Sequence, residues 1–410
     1  MKLKLSQIRL IIFGSSLLLL AAGGGYWWGI HQVKLLQGQP FQIQIERKLP
    51  EDKKGLNFSL FWEVWDRLNQ NYLDKTELKP TEMILGAIKG MVASLGDPYT
   101  AFLPPEENKQ VKEDLNGRFE GVGIELGYQD GNLSVIAPLK GMPAEKVGVR
   151  AGDLILKIGD KETGGMSLPE AVKLIRGPKN TTIELTLLHQ GEKEPYLAAI
   201  VRATIIISSA EVEFDGQVAH LRLTRFGDRT KDEWNQAVAQ IKSRRSSLSG
   251  LILDLRNNPG GYLSGAVFIA SEFLPSDSES EFGGVVVQQE FASGKRETFS
   301  VDRLGQLTSL PLVVLVNQGS ASASEIVAGA LQDYQRAKVV GTTTFGKGTI
   351  QEAQDLAGGS GLHITIARWL LPSGKSIKEM GIKPDYEVED DLATEEIDEA
   401  LEKAIAVLLE

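Results

Sequence analysis

The sequence predicts an α/β protein: a mixed-sheet core preceded by a helical layer, an inserted small β-rich domain, and a transmembrane or signal helix at the N-terminus. Three observations lead there. From residue 205 onward strand-like and helix-like runs alternate, the order expected when partly parallel strands are joined by helices. Residues 117–203 show strand alternation, a hairpin signal and one helix in a stretch short enough for one module. Ahead of residue 31 an apolar run follows basic residues. At 410 residues the chain has room for two or three cores.

In residues 1–30, Lys2, Lys4 and Arg9 precede an apolar run to Ile30 that is closed by Tyr26, Trp27 and Trp28. Residues 8–30 are long enough to span a bilayer as a helix, and the positive flank keeps the N-terminus cytoplasmic. The competing reading is a signal peptide cleaved near Ala21-Ala22-Gly23. The anchor is preferred because the apolar run continues past any cleavage site. Either way the rest is exported. The expected location is the extracytoplasmic face of the inner membrane, or the periplasm if the leader is cut.

Residues 31–57 read as a linker. In 58–115, Phe61, Trp62, Trp65 and Leu68 are spaced as one helix face, and Ile84, Leu85, Ile88, Met91 and Val92 as another. Gly96-Asp97-Pro98 then stops the chain in a turn. This region is expected to pack on the core as a helical layer. Within 117–203, Val122, Ile124 and Leu126 alternate, Asp130-Gly131 signals a hairpin, and Ser167-x-x-Glu170 has the form of a capping box opening a helix through Ile175. In 205–390 the strands are Val218–Leu223, Leu251–Leu255 and Leu312–Val316. Helices are expected near Asp232–Ile241, Ser264–Phe273 and Ser322–Tyr334. Over 391–410, Ile397, Leu401, Ala404, Ile405 and Leu408 mark an amphipathic helix that packs on the core.

Composition removes several function classes. A formal net charge of −10 disfavours nucleic acid and anionic lipid as partners. The absence of cysteine removes thiol chemistry and Cys-ligated zinc, and no His/Glu spacing resembles a metal site. Gly341-x-x-x-x-Gly346-Lys347 approaches a phosphate-binding loop, but Gly348 stands where the metal-ligating Ser/Thr belongs. No cofactor is called for.

The densest chemical signal is Asn317-Gln-Gly-Ser-Ala-Ser-Ala-Ser-Glu-Ile326, between a buried strand and a helix. A hydroxyl at such a turn stands at a positive helix end beside free N–H groups, which suits a nucleophile whose attack creates an oxyanion. Ser322-x-x-Glu325 is equally a capping box, and capping alone is the commoner role. A serine nucleophile needs a base. His31, His189, His220 and His363 are the four histidines, and none has an acidic neighbour in sequence that reads as a triad. Lys347, in a glycine-flanked turn without acidic residues between Val339 and Gln351, can serve if burial disfavours its charge.

Ser320-Ala-Ser-Ala-Ser-Glu325, Gln332-Asp-Tyr334, Thr344-Phe-Gly-Lys-Gly-Thr-Ile-Gln351 and Leu255-Arg-Asn-Asn-Pro-Gly-Gly261 together resemble the carboxy-terminal processing (tail-specific) serine peptidases. The resemblance runs in order from the Phe58 helix to about Pro384, through Gly96–Thr100, Arg150–Asp153 and Ala367–Gly374. It implies Ser322 as nucleophile, Lys347 as general base and Gln351 as the residue orienting the lysine. It places one oxyanion N–H at Gly260 or Gly261 and the second at Ala323. Asp333 occupies a position discussed as catalytic in the family. Eleven residues along one helix would put it roughly 16 Å from Ser322, so a structural role is expected.

The inserted module resembles a PDZ domain, with Gly121-Val122-Gly123-Ile124 as the loop that cradles a peptide's C-terminal carboxylate. Arg176, closing its helix, is a candidate link to the active site. The resemblance implies an endopeptidase acting on envelope proteins captured by unstructured apolar C-terminal tails. The alternatives are a non-catalytic PDZ scaffold on the same fold and a hydrolase of non-peptide esters. Substrate identity, homo-oligomerisation and an adaptor protein are left open by the sequence.

Overall fold

The computed structural model describes residues 55, 57–129, 131–276, 280–378, 380–389 and 398–410. The expected anchor at 8–30, nearly all of the linker at 31–57 and Ile397 lie outside them. Among the described residues no helix is long and apolar enough to cross a membrane. The chain divides into two compact units, one reaching Met91 and the other Val92–Glu410.

In the first unit, helix α1 (Ser59–Asn71) follows the aromatic spacing, and α2 (Pro80–Ala93) begins with proline at its first turn. Phe61, Trp62 and Trp65 cluster with ring centroids 5.0–6.3 Å apart, yet no residue of α1 is fully buried. The expected helical region 58–115 is divided between the two units. Residues after Met91 belong to the second unit: β1 (Ala101–Leu103) pairs with a strand far along the chain, and α3 (Pro105–Asn116) follows it.

The inserted module comprises β2 (Arg118–Gly121), β3 (Ile124–Gln129), β4 (Asn132–Pro138), α4 (Pro143–Lys146), β5 (Leu154–Ile158), β6 (Lys161–Glu162), α5 (Leu168–Ile175), β7 (Thr182–Leu188), β8 (Tyr196–Val201) and β9 (Ala203–Ile206). Its sheet runs β3-β4-β5-β7-β8, and β2 pairs antiparallel with β9 to close the neck of the insertion. Alternating Leu133, Val135, Leu185, Leu187, Ala198 and Ile200 form a separate core. The capping box expected at Ser167 is not formed. Ser167 makes no side-chain cap, and the helix opens on a proline in its first turn, whose missing N–H needs no acceptor.

The main sheet is built from β10 (Ala210–Asp215), β11 (Val218–Leu223), β12 (Gly250–Asp254), β15 (Leu312–Val316), β16 (Lys338–Gly341) and β19 (Tyr386–Glu387), in that spatial order. All its pairings are parallel except β10 with β11. Every residue of β12 and β15 is buried, as their unbroken apolar runs require of a strand covered on both faces. One face packs on α6 (Thr230–Ser243), α7 (Leu263–Ala270) and α8 (Ala323–Asp333), with Trp234, Ile269 and Val327 fully buried. On the other face Ile252, Val313, Leu315 and Val340 lie under α9 (Glu399–Leu409), through Ala400, Leu401, Ala404, Ile405 and Leu408.

A second, antiparallel sheet is a feature the sequence reading does not separate from the first. It contains β13 (Val285–Phe291), β14 (Arg296–Ser300), β17 (Thr349–Asp355) and β18 (Gly361–Leu370), and β1 joins it through Ala101 opposite His363. Exposed polar positions in β14 and β17 blur the alternation that marks a strand.

Candidate active site

β15 delivers the chain into the Asn317–Ser322 turn at the start of α8. Ser322 has φ 56° and ψ −113°, in the positive-φ region that costs a residue with a Cβ atom energy. The surroundings fix that conformation. The hydroxyls of Ser320 and Ser324 donate to the carbonyls of Leu255 and Asn258, and the Ala321 N–H also donates to Asn258. These bonds distinguish three neighbouring serines: two tie the turn to the 255–258 segment, while Ser322 lines a cavity.

Glu325, fully buried, joins two turns. Its carboxylate accepts the N–H of Ser322 (2.8 Å), the N–H of Gly346 (2.7 Å), the N–H of Lys347 (3.0 Å) and the hydroxyl of Thr344 (2.6 Å). The capping box read from Ser322-x-x-Glu325 is therefore present, and its glutamate also reaches across to a second loop. Burial pushes the Glu325 carboxyl above its ordinary range, against hydrogen bonds that favour the ionised form.

Lys347 is held from the other side by Trp369, whose backbone N–H donates to Gly348 and whose indole N–H donates to the Lys347 carbonyl at 2.9 Å. Its amine lies 5.2 Å from the centroid of the Tyr99 ring and makes no hydrogen bond or ion pair among the described residues. Burial lowers its pKa. The charges of Glu325 and Asp97 oppose that shift without reversing it. Asp97, absent from the sequence-level candidates, is fixed by accepting from the Tyr99 N–H and the Thr100 hydroxyl.

A cavity of 300 Å³ gathers these groups. Ser322, Ala323, Gly261, Lys347, Gln351 and His363 line it, with apolar walls from Leu263, Ile326, Ile350 and Trp369. The two glycines of the 259–261 turn have different neighbours. The Gly260 N–H is committed to Asn258 Oδ1 at 2.9 Å, whereas the N–H groups of Gly261 and Ala323 find no acceptor among the described residues. Gly260, at φ +99°, packs so closely that a methyl group there would sit 2.9 Å from both Ala323 N and Ser322 Cβ. The amide of Gln351 donates to the hydroxyls of Thr349 (2.9 Å) and Thr365 (3.2 Å), with no bond to Lys347.

The histidine reading needs correction. His189 lies 2.6 Å from Asp153 and His220 lies 3.0 Å from Asp254, so both have acidic partners that the sequence hides because they come from distant segments, one just before β5 and the other at the end of β12. Neither lines the Ser322 cavity. His363 does, and burial together with the Lys347 charge lowers its pKa. Asp333 caps the Ser373 N–H at 2.9 Å at the far end of α8, while Arg336 donates to the carbonyls of Phe273, Leu307 and Leu310. Among the described residues no cluster of His, Cys, Asp or Glu could hold a metal ion.

In the inserted module β3 is an edge strand. Gly121 ends β2, and the Val122 and Gly123 carbonyls accept from Ala144 and Leu139, leaving the N–H groups of Val122 and Gly123 without acceptors among the described residues. Gly123 has φ +75°, and a methyl group there would collide with Met142 Cβ. Ile124 and Leu126 of β3 and Leu168 of α5 are partly buried beside the module's core. Arg176, at the C-cap of α5, lies over Phe119 at 4.3 Å and reaches Asp114 Oδ1 at 3.4 Å and Glu113 at 3.8 Å. Glu113 and Asp114 belong to α3, whose Val111 and Leu115 also line the Ser322 cavity.

Comparison with known proteins agrees with this layout. Residues 217–388 match the model of peptidase family S41, residues 134–188 a PDZ domain, and residues 18–107 the N-terminal domain of the activating protease CtpB. The chain is 36% identical over 327 residues to the carboxy-terminal processing protease CtpA of Bacillus subtilis, covering 80% of this chain and 68% of that one. It is 38% identical over 335 residues to the carboxy-terminal-processing protease of Bartonella bacilliformis, covering 81% and 75%. Among solved structures, the photosystem II D1 C-terminal processing protease superposes with a TM-score of 0.50 at 30% identity, covering 86% of this chain and 97% of that one.

Proposed function

Because the chain belongs to the carboxy-terminal processing proteases of peptidase family S41, we propose that it is an endopeptidase that hydrolyses tail-bearing proteins with a Ser322–Lys347 dyad. The observation that carries this reading is the shared cavity. It holds the Ser322 side chain, a partly buried amine of lowered pKa, and the uncommitted N–H groups of Gly261 and Ala323. The Lys347 amine, neutral, takes the Ser322 proton as Oγ attacks the scissile carbonyl. Gly261 and Ala323 donate to the oxyanion. The amine returns the proton to the leaving nitrogen as the C–N bond breaks, and water then hydrolyses the acyl-enzyme with Lys347 again as base. In the free enzyme the Lys347 amine makes no hydrogen bond to Ser322, and in this reading that bond closes when substrate enters, as catalytic hydrogen bonds commonly do. Gln351 holds the Thr349 and Thr365 hydroxyls beside the lysine turn and so acts on Lys347 indirectly.

In the same reading the PDZ domain captures an unstructured apolar C-terminal tail. The free N–H groups of Val122 and Gly123 take the carboxylate, and the tail adds as a strand along the edge of β3, against Ile124, Leu126 and Leu168. Arg176 carries occupancy of that groove to α3. The reading places the protein in the cell envelope, held by residues 8–30, on the strength of the basic flank and apolar run. The test is digestion of an unfolded protein with and without an apolar C-terminal tag, with products mapped by mass spectrometry. Tag-dependent cleavage by the wild type and none by Ser322→Ala is expected.

A further inference from the structure

We propose that helix α9 is a positioning element for the oxyanion turn, with Asp398 acting through Arg256 to hold the 257–261 loop in register with Ser322. The proposal rests on the reading of Gly261 and Ala323 as oxyanion donors. Residues matched by the peptidase model end at 388, ahead of Asp398.

Arg256 is the second residue after β12, the strand that leads to that turn. Its guanidinium, 15% exposed, grips two carboxylates at once. Nη1 and Nη2 donate to the two oxygens of Asp398 at 2.7 and 2.8 Å. Nε and Nη2 donate to the two oxygens of Asp254 at 3.0 and 2.8 Å. Asp254 is 2% exposed, also meets His220, and ends β12. A fork bonded bidentately on both sides fixes direction as well as charge. Asp398 has a second role as N-cap of α9, accepting the Leu401 N–H at 2.8 Å. The helix that covers the back of the main sheet is thus tied by one carboxylate to the loop on which Gly261 sits.

Beyond Arg256 each link is directional. Asn257, at φ 56°, exchanges hydrogen bonds with the Asn317 side chain at 2.8 and 2.9 Å. Asn258 donates to the Leu223 carbonyl at 2.7 Å, accepts from Gly260, and its carbonyl receives Ala321 and Ser324 of the nucleophile turn. The loop therefore has neutral clamps to the strand ends and to the turn around Ser322. Arg256 adds a charged clamp, which Asp398 grips from the start of α9. An oxyanion donor displaced by a fraction of an ångström loses much of its effect, so a slack Arg256 registers in turnover before it registers in substrate binding.

The experiment compares full-chain Asp398→Asn, Asp398→Glu, Arg256→Lys and Val238→Ala proteins, measuring kcat, KM and melting temperature on a tail-tagged unfolded protein. Asparagine keeps the cap on Leu401 but loses the charge pair. Val238→Ala opens a small cavity under α6, on the opposite face of the sheet from α9, without touching the network. We expect Asp398→Asn and Arg256→Lys to lower kcat on the order of tenfold with KM within about twofold. Asp398→Glu should recover most of the rate, and Val238→Ala should lower the melting temperature while keeping kcat. If Asp398→Asn does not fold, Arg256→Lys decides. A kcat within about twofold of wild type in a folded Asp398→Asn or Arg256→Lys protein overturns the proposal. So does a Val238→Ala protein that loses kcat as its melting temperature falls in the same way. A wild type that cleaves nothing removes the hydrolase reading itself, and this role with it.

Discussion

Ser322 and Lys347 give their backbone N–H groups to the same carboxylate, that of Glu325, at 2.8 and 3.0 Å. The Ser322 turn and the Lys347 turn are therefore indexed to one buried group, independently of any contact between their side chains. Replacing Glu325 by glutamine turns one accepting oxygen into a donor facing N–H groups that also donate. One or more of those amides is then left unpaired in a buried site, at about 1–3 kcal/mol each. Glu325→Gln should melt lower and lose at least tenfold in kcat, read by calorimetry and a peptide assay. Unchanged values in both would contradict the shared anchor.

The pH profile has a definite sign. Burial holds the Lys347 amine below the ordinary lysine value of about 10.4. Below its own pKa the amine is an ammonium and takes no proton from Ser322, so kcat/KM should climb with pH and level off before that ordinary value. Asp97→Asn removes a charge that favours the ammonium, and the climb should move to lower pH. A flat profile, or a shift in the other direction, would count against Lys347 as base.

Gly260 contributes no N–H to the cavity, yet it tolerates no side chain. With φ +99° and a methyl position 2.9 Å from Ala323 N, Gly260→Ala must displace the Ala323 N–H, a proposed oxyanion donor. Turnover is expected to fall on the order of a hundred- to a thousandfold. Binding of a fluorescent tail peptide to the PDZ domain should stay within about twofold, because that groove is built from other residues.

Arg176→Ala separates capture from cleavage. The residue bridges from the end of α5 to Glu113 and Asp114 on α3, one to three positions from cavity-lining Val111 and Leu115. Tail peptides should bind the variant normally in a titration, while tailed substrates are cut several-fold more slowly. If tail affinity falls and the rate at saturating substrate is unchanged, Arg176 belongs to the groove alone.

Much of this architecture can be read from residue order. The unbroken apolar run Leu312–Val316 marks a buried parallel strand, and the turn that follows it holds Ser322. The antiparallel sheet is harder to read, because β1 and β18 pair across most of the chain and β14 and β17 carry exposed polar residues. Glu325 resembles a routine capping residue until the Thr344–Lys347 loop is placed against it. The acidic partners of His189 and His220 are likewise brought in by strand pairing. The difference between the Gly260 and Gly261 N–H groups comes from the side chain of Asn258, whose hydrogen bond to Gly260 sequence spacing does not reveal.

The most direct measurement is turnover by purified Lys347→Ala protein, with circular dichroism on the same sample, against a tail-tagged unfolded substrate. A native-like spectrum with no cleavage above the Ser322→Ala background is the expected result. A folded Lys347→Ala protein that cleaves at the wild-type rate would show that another group accepts the Ser322 proton.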